Sequence, residues 1–385
     1  MTDRNKRIFI SDIHMGDAKS SQPPNPYGWF KNNILKLADF LADQKKASDV
    51  KEVIILGDLF DDWVIPTEDT PLADYTAICK NADNEPVIDG LKALADSSCP
   101  VKLTYVPGNH DMGMNVGKIA EIKNFLANTF PGMHYLCNND EPWGVYNLGI
   151  LAAEHGDRYC LFNAPDKWTA PLGTFLPIGY FITRMVAHKV KAKGKPEDYH
   201  DILVRSLKEL FEKPKLVEAI FDAIAEDAGL NGNDIINTSG IPDYPAQITV
   251  NEIKVRFSNL IQSWNNYPGN IYSMLAIIDD MDNLSTPAHL FYLNHYVNIV
   301  IFGHTHVPVL EKNYFDVQTP GGQVYHSNDD PCTGGIYVNS GSWVDSCKDG
   351  CTYVETEERP DKGCHYVRLK KYPGNAVMDE GFVKI

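Results

Sequence analysis

The sequence predicts an α/β body interrupted by a long helical insertion, and three observations carry that expectation. Over the first 155 residues short β-rich runs alternate with stretches of helical periodicity. From about Arg158 to His295 the helical period dominates and credible strands are few. From Asn298 onward strands return between turn signals, so the chain re-enters its first layers. The 385 residues have room for one large or two ordinary domains. The expected division is a body of 1–157 with 296–385 and an insertion of 158–295.

In the first part, strands are expected at Arg7–Ser11, Glu52–Leu56, Val101–Val106, Met133–Leu136, Gly144–Asn147 and Ile150–Ala153. Helices are expected at Phe30–Lys46, where Ile34, Leu37, Ala38 and Leu41 share a face, and at Pro86–Asp96 and Gly117–Asn128. The insertion has helical periodicity in Ile202–Phe211, Lys215–Ala228, Asn251–Trp264 and Ile271–Asp282. The last strands are expected at Asn298–Phe302, Gly335–Asn339, Gly350–Glu355 and Cys364–Lys370, with turns at Pro320-Gly321-Gly322 and Lys348-Asp349-Gly350.

Composition removes several classes. Hydrophobic residues at 43% and charged residues at 22% exclude a wholly disordered chain. The 51 acidic against 35 basic residues give a net charge of −16, which disfavours nucleic acid as a partner. The first apolar run is only Ile8 to Ile10, and no run of about 18 apolar residues occurs, so a cytoplasmic protein without a signal peptide or transmembrane segment is expected. The eight cysteines are expected as reduced thiols, because Cys347, Cys351 and their neighbours do not form the two close pairs of a zinc site.

Five apolar runs end alike. Ile8-Phe9-Ile10 leads to Asp12-Ile13-His14, Val53–Leu56 to Gly57-Asp58, and Leu103–Val106 to Gly108-Asn109-His110-Asp111. Ile150–Ala153 leads to Glu154-His155-Gly156-Asp157, and Ile299–Phe302 to Gly303-His304-Thr305-His306. Taken singly, such a residue is an ordinary turn former. Ligands of α/β sheets bind beyond the carboxyl ends of strands, so five such ends can converge on one point. Converged, they supply Asp12, His14, Asp58, Asn109, His155, His304 and His306, a nitrogen and oxygen set without thiolate that suits Mn²⁺, Fe²⁺ or Zn²⁺. Seven side chains exceed the needs of one ion. With one bridging carboxylate, two ions about 3.5 to 4 Å apart can share them, with a bridging hydroxide as nucleophile for in-line displacement at phosphorus.

The series Asp12-x-His14, Gly57-Asp58-x-x-Asp61, Gly108-Asn109-His110-Asp111, His155-Gly156 and Gly303-His304-x-His306 resembles the calcineurin-like metallophosphoesterases, with all five blocks in family order. The resemblance implies a four-layer fold, two β-sheets flanked by helices, in which 1–157 and 296–385 are catalytic. It implies a first metal on Asp12, His14, Asp58 and His306 and a second on Asp58, Asn109, His155 and His304, with Asp58 the bridge. Mn²⁺ leads as the implied ion, with Fe or Zn²⁺ as alternatives. His110 is then the catalytic residue without a metal, its ring oriented by Asp111. Asp61 and Asp157 are expected to support the ligands rather than bind metal.

A narrower resemblance joins Gly57–Trp63 and Gly303–Pro308 to the branch containing UDP-2,3-diacylglucosamine hydrolases, which cleave a nucleotide-lipid pyrophosphate and carry a helical insertion in the matching place. This chain has His110 where that branch usually has Arg, and a longer insertion. The expected function is therefore a dinuclear hydrolase of a small-molecule phosphodiester or pyrophosphate. Phosphomonoesterase and non-catalytic scaffold are the alternatives. The insertion 158–295 is expected to be a cap without metal ligands, in which replacing Phe175, Tyr180 or Phe181 changes substrate preference. Its apolar Leu172–Val190, beside Lys189, Lys191, Lys193 and Lys195, reads as a core helix or as a peripheral lipid or membrane contact. The loop Gly16–Trp29 reads as a plain surface loop or as a rim that stacks on a base or sugar. His134, His188, His200, His289, His295, His326 and His365 are expected to be structural.

Overall fold

Runs such as Ile8-Phe9-Ile10 and Val53-Ile54-Ile55-Leu56 lack polar alternation, the mark of strands buried on both faces. They lie at the centre of a large sheet in the computed structural model, which describes residues 4–112, 119–137, 143–160, 162–164, 176–194, 216–242, 244–260, 284–285, 288, 297–312, 317–318, 324–325 and 335–384. In chain order the strands are β1 Lys6–Ile10, β2 Val50–Leu56, β3 Lys102–Val106, β4 Met133–Tyr135, β5 Tyr146–Asn147, β6 Leu151–Ala153, β7 Ile235–Asn237 and β8 Gln247–Thr249. They continue with β9 Ile299–Phe302, β10 Val309–Lys312, β11 Val317–Gln318, β12 Val324–Tyr325, β13 Ile336–Asn339, β14 Thr352–Arg359, β15 Cys364–Lys371 and β16 Ala376–Lys384. The large sheet runs β16-β15-β14-β1-β2-β3-β4 and a second runs β10-β13-β9-β6-β5. β1 to β4 are mutually parallel, as are β6, β9 and β13, so the loops after β1, β2 and β3 leave one edge of the first sheet and those after β6 and β9 one edge of the second.

Period-two alternation then divides the core. Phe9, Ile54, Leu56 and Val106 face the second sheet and meet Leu151, Ala153, Ile299, Ile301 and Val338. Ile8, Ile10, Val53, Ile55 and Leu103 face the other way, onto Leu37, Phe40 and Leu41 of the helix Ile34–Lys46 and Val87 and Leu91 of the helix Glu85–Leu94. The outer face of the second sheet, with Val300, Phe302 and Tyr337, is covered by Leu284, Ala288 and Val297. The fold is thus the two-sheet sandwich flanked by helices that the sequence led us to expect.

Local departures have local causes. The first helix begins at Ile34 rather than Phe30, because the Asp345 carboxylate accepts the amides of Lys31, Asn32 and Asn33 at 3.0, 2.9 and 3.2 Å. In the insertion a helix occupies Leu216–Ala228, and the one expected at Asn251–Trp264 spans Val250–Arg256 behind a Thr249/Glu252 capping box. The insertion also carries the hairpin β7-β8, whose strands bury only Ile236 and Ile248 and so leave no periodic trace. Ile202–Phe211, Ile271–Asp282, Pro320-Gly321-Gly322, Phe175 and Cys332 lie outside the described residues. No disulfide joins the seven described cysteines, and Cys347 Sγ donates to the His306 carbonyl at 3.2 Å.

From Leu176 on, the apolar stretch is a core element. The helix Ile178–Lys193 buries Ile178, Tyr180, Phe181, Ile182 and Met185, in one cluster with Ile220, Phe221, Ile253 and Phe257 of the insertion and Trp63, Val64 and Met112 of the body. Tyr180 and Phe181 are fully buried in that cluster. Of the two readings of this stretch, the core helix describes residues 176–194, and its described lysines have acidic or carbonyl partners: Lys189 pairs with Asp227, Lys191 with Glu68 and Asp69, and Lys193 donates to the Asp227 carbonyl. No described helix is long and apolar enough to cross a membrane.

Arg184 fastens this helix to the body. Its guanidinium is fully buried and donates to the carbonyls of Ile65 at 3.0 Å, Pro66 at 2.8 Å and Asp69, to that of Asn237, and to the Tyr180 hydroxyl at 3.1 Å. A hydrogen bond from a charged group contributes about 1.5–3 kcal/mol, and losing this one donor leaves several carbonyls buried without it, so Arg184→Leu should cost about 3 kcal/mol or more. Lys191→Ala, which removes a partly exposed ion pair, should cost under about 1 kcal/mol. Guanidinium chloride unfolding compares them, and an Arg184→Leu protein as stable as Lys191→Ala would refute the fastening.

Candidate metal centre

The residues after β1, β2 and β9 turn sharply. Asp12, His14, Asp58, His304 and His306 have φ of 54°, 56°, 52°, 71° and 61°, in the left-handed region that non-glycine residues seldom adopt. Loop-to-loop hydrogen bonds hold them there: Ile13 N and His14 N donate to the Asp58 carbonyl at 2.9 and 2.8 Å, and Gly303 N to that of His155 at 2.9 Å. Gly57 and Gly108 are required by close approach. A Cβ on Gly57 would lie 2.5 Å from His155 Nδ1, and one on Gly108 would lie 2.3 Å from Asp58 Oδ1.

The seven expected residues come together in two clusters around Asp58. In one, His306 Nε2 lies 3.3 Å from Asp12 Oδ1 and 3.2 Å from His14 Nε2. In the other, His155 Nε2 lies 3.0 Å from Asn109 Oδ1, and His304 joins Asp58 and His155 in a group of potential ligand atoms within 4.8 Å of one another. Asp58 Oδ2 belongs to both, 3.5 Å from His14 Nε2 and 3.2 Å from His155 Nε2. Its Oδ1 is occupied by His110 N at 2.8 Å.

The donor set fits divalent metal. Asp12 Oδ2 accepts from Ser11 Oγ and from His304 N at 3.0 Å, whereas its buried Oδ1 makes no well-formed hydrogen bond and has only the His306 and His14 imidazoles beside it, at 3.3 and 3.9 Å. Leaving such an atom unsatisfied is costly unless a cation takes it up. Each of two imidazoles is also tied at the ring nitrogen remote from the cluster, His155 Nδ1 to the Leu56 carbonyl at 2.8 Å and His14 Nδ1 to Asp61 Oδ2 at 3.1 Å, the orientation that metal-binding histidines require. Donors on one ion at 2.0–2.2 Å are separated by roughly 3–3.5 Å, the spacing found here.

His110 corrects one expectation. Its Nδ1 donates to Asp61 Oδ1 at 2.9 Å, so Asp61 orients the ring and Asp111 does not. The Asp111 carboxylate instead accepts the amides of Gly108 and Leu59, both at 2.7 Å, and so binds the β3 loop to the β2 loop. Asp61 serves two rings at once, and its Oδ1 also accepts Val64 N at 2.9 Å. His110 packs between Trp63, 4.6 Å between ring centres, and Trp29, 5.3 Å. Asn163, which no motif pointed to, places Nδ2 3.3 Å from His304 Nε2. Asp157 opens a short 3-10 turn after His155.

Electrostatics follow from burial against pairing. Burial opposes the charge on Asp58, yet the His155, His110 and His14 rings hold its carboxyl well below the usual range. Burial likewise works against a charged His110, and the neighbouring Asp61 and Asp58 outweigh it and raise the imidazole. Burial, joined by the charge of His155, pushes His304 down to about 3, which leaves a neutral ring suited to ligation. Burial and then the Asp58 charge push Asp111 up to about 6.

Loss of a partner that orients metal-binding groups usually costs about 10- to 100-fold in affinity or activity, so Asp61→Asn should lower divalent-metal affinity or turnover by that factor. Asp111→Asn should act mainly on the unfolding midpoint. Metal titration and thermal unfolding of both variants check this, and the reverse pattern would restore Asp111 as the orienting residue.

Distantly similar solved structures include a dimetal phosphatase from Danio rerio, at 9% identity over 99% of each chain with a TM-score of 0.39. Another is a purple acid phosphatase from yellow lupin (Lupinus luteus) seeds, at 11% identity over 99% of this chain and 53% of that one, TM-score 0.37. A third is GAP50, the anchor in the inner membrane complex of Plasmodium, at 11% identity over 99% of this chain and 89% of that one, TM-score 0.35. No curated protein matches the chain. The family model for calcineurin-like phosphoesterases matches residues 6–308, which span all five blocks, and the chain belongs to that family.

Proposed function

We propose that the protein is a dinuclear metal-dependent hydrolase of phosphodiesters or pyrophosphates. The observation that carries this reading is the position of Asp58 Oδ2 between His14 Nε2 and His155 Nε2, at 3.5 and 3.2 Å. Asp12, His14, Asp58 and His306 would hold one ion, and Asp58, Asn109, His155 and His304 the other, with Mn²⁺ as the leading candidate for both. Bound there, two such ions would polarise the phosphoryl oxygens and lower the pKa of bound water, the chemistry of in-line displacement at phosphorus. The protein's own part is positional and acid–base. Asp61 fixes the His110 ring through Nδ1, which leaves Nε2 to hand a proton to the departing oxygen. Trp63, packed on the ring, limits it to that orientation.

Preference for a diester over a dianionic monoester is supported by where the nearby guanidiniums are spent. Arg158 is held by Glu154 and stacks 3.8 Å from the Trp143 ring centre, and Arg184 is consumed by backbone carbonyls. Neither offers a fixed cation for a second phosphate charge. A cap role for 158–295 is supported by the apolar cluster it shares with Trp63 and Met112, neighbours of His110 in space and in sequence. A nucleotide-linked or lipid-like diphosphate, as the motif resemblance suggests, is the finer form of this reading.

Three outcomes test it. Bis-p-nitrophenyl phosphate should exceed p-nitrophenyl phosphate in kcat/KM under one metal condition, and a tenfold monoester advantage would overturn the diester preference. Asp58→Ala should release both ions, as read by elemental analysis, and retention of one ion at full affinity would exclude a shared carboxylate. His110→Ala should keep both ions and lose about 10² to 10⁴ in turnover, less for p-nitrophenolate than for an alkoxide leaving group.

A further inference from the structure

Trp29 lies against three of the clustered imidazoles yet has no part in the hydrolysis described above. Its ring centre is 4.9 Å from His14, 5.3 Å from His110 and 6.3 Å from His306. An indole has no metal-ligating atom, and its N–H can donate a hydrogen bond but is too weak an acid to give its proton to a leaving oxygen. The residue is half-buried, with one side packed on the cluster that contains Tyr27 and Trp63. Its backbone is pinned on both sides. The Trp29 carbonyl accepts Asp345 N at 2.9 Å, the Asp345 carboxylate accepts the amides of the next residues, and upstream Tyr27 N and Gly28 N both donate to the Ser20 carbonyl at 2.9 Å. An aromatic surface immobilised in this way binds without a large further loss of conformational freedom.

We propose that Trp29 determines specificity by stacking on a planar aromatic group in the leaving half of the substrate, a nucleobase or an aryl ring. This rests on the hydrolase reading, since it is His110 that marks the leaving side and Trp29 flanks His110. A flat π-face is tolerant of which ring it receives, and stacking of a base on an aromatic side chain changes affinity by roughly five- to a hundredfold. Charge plays little part in such a contact, which suits a protein with a net charge of −16.

The test uses the metal-loaded full chain, Trp29→Leu and Trp29→Phe, with binding read both by titration calorimetry and as inhibition of bis-p-nitrophenyl phosphate hydrolysis. Adenosine monophosphate and ribose 5-phosphate differ only in the base; phenyl phosphate and cyclohexyl phosphate differ in the flatness of the ring. Wild type should bind the aromatic member of at least one pair fivefold or more tightly, and the pair that responds identifies the base or the aryl ring as the source. Trp29→Leu should bring that pair within twofold while ribose 5-phosphate affinity and metal content hold, and Trp29→Phe should keep part of the preference. Equal binding within both pairs by wild type, or a preference that survives in Trp29→Leu, overturns the proposal. A Trp29-dependent preference in calorimetry from a protein that hydrolyses none of the phosphoesters would sink the hydrolase reading and leave the stacking site standing.

Discussion

The Asp58 carboxylate is almost wholly buried, and the arrangement of the surrounding loops is what makes a charge tolerable there. An unpaired buried carboxylate costs several kcal/mol, whereas here one oxygen takes the His110 amide and the other meets two imidazoles. The same residue's carbonyl accepts the amides of Ile13 and His14, so the β1 loop is set by the β2 loop. Asp58 is thus both the electrostatic centre and a backbone anchor. Displacing it would move ligands in both clusters, which explains why Gly57 and Gly108 leave no room for a side chain around it.

Such a site needs a rigid frame, because five of its residues hold backbone conformations that cost of order 1–3 kcal/mol each when unsupported. The frame is the parallel centre of the two sheets, where Phe9, Ile54, Leu56, Ile299 and Ile301 are buried against one another. Orientation is then refined from outside the clusters. Asp61 ties His14 and His110 together through its two oxygens, and the segment after it leads through Trp63 to the carbonyls that Arg184 gathers. The helix Ile178–Lys193 is therefore joined to the segment that carries Asp61 and Trp63, the residues that aim the imidazoles.

Much of this was legible in the sequence for a simple reason. Apolar runs that stop at Gly, Asp, Asn or His announce both a buried strand and the residues that emerge at its end, so all seven clustered side chains could be named. The partners of those side chains could not, since they depend on tertiary proximity. The resemblance implied Asp111 as the companion of His110, yet adjacent residues in a turn point in different directions, and Asp61, 49 residues away, holds the ring. The start of the first helix is governed by Asp345, more than 300 residues along the chain. The lysines of the Ile178–Lys193 helix left a core helix and a lipid contact both open, because their partners Asp227, Glu68 and Asp69 are distant in sequence. Edge strands β10 and β16 have no apolar run to mark them, since each buries only one residue, Leu310 and Val383.

The central claim is that Asp58 Oδ2 is shared by two metal ions. Crystals loaded with Mn²⁺ and measured at its absorption edge test it most directly. The account predicts two anomalous peaks about 3.5 to 4 Å apart, one beside Asp12, His14 and His306, the other beside Asn109, His155 and His304, with Asp58 Oδ2 between them. A single peak, or a pair located away from Asp58 in an active protein, would contradict it.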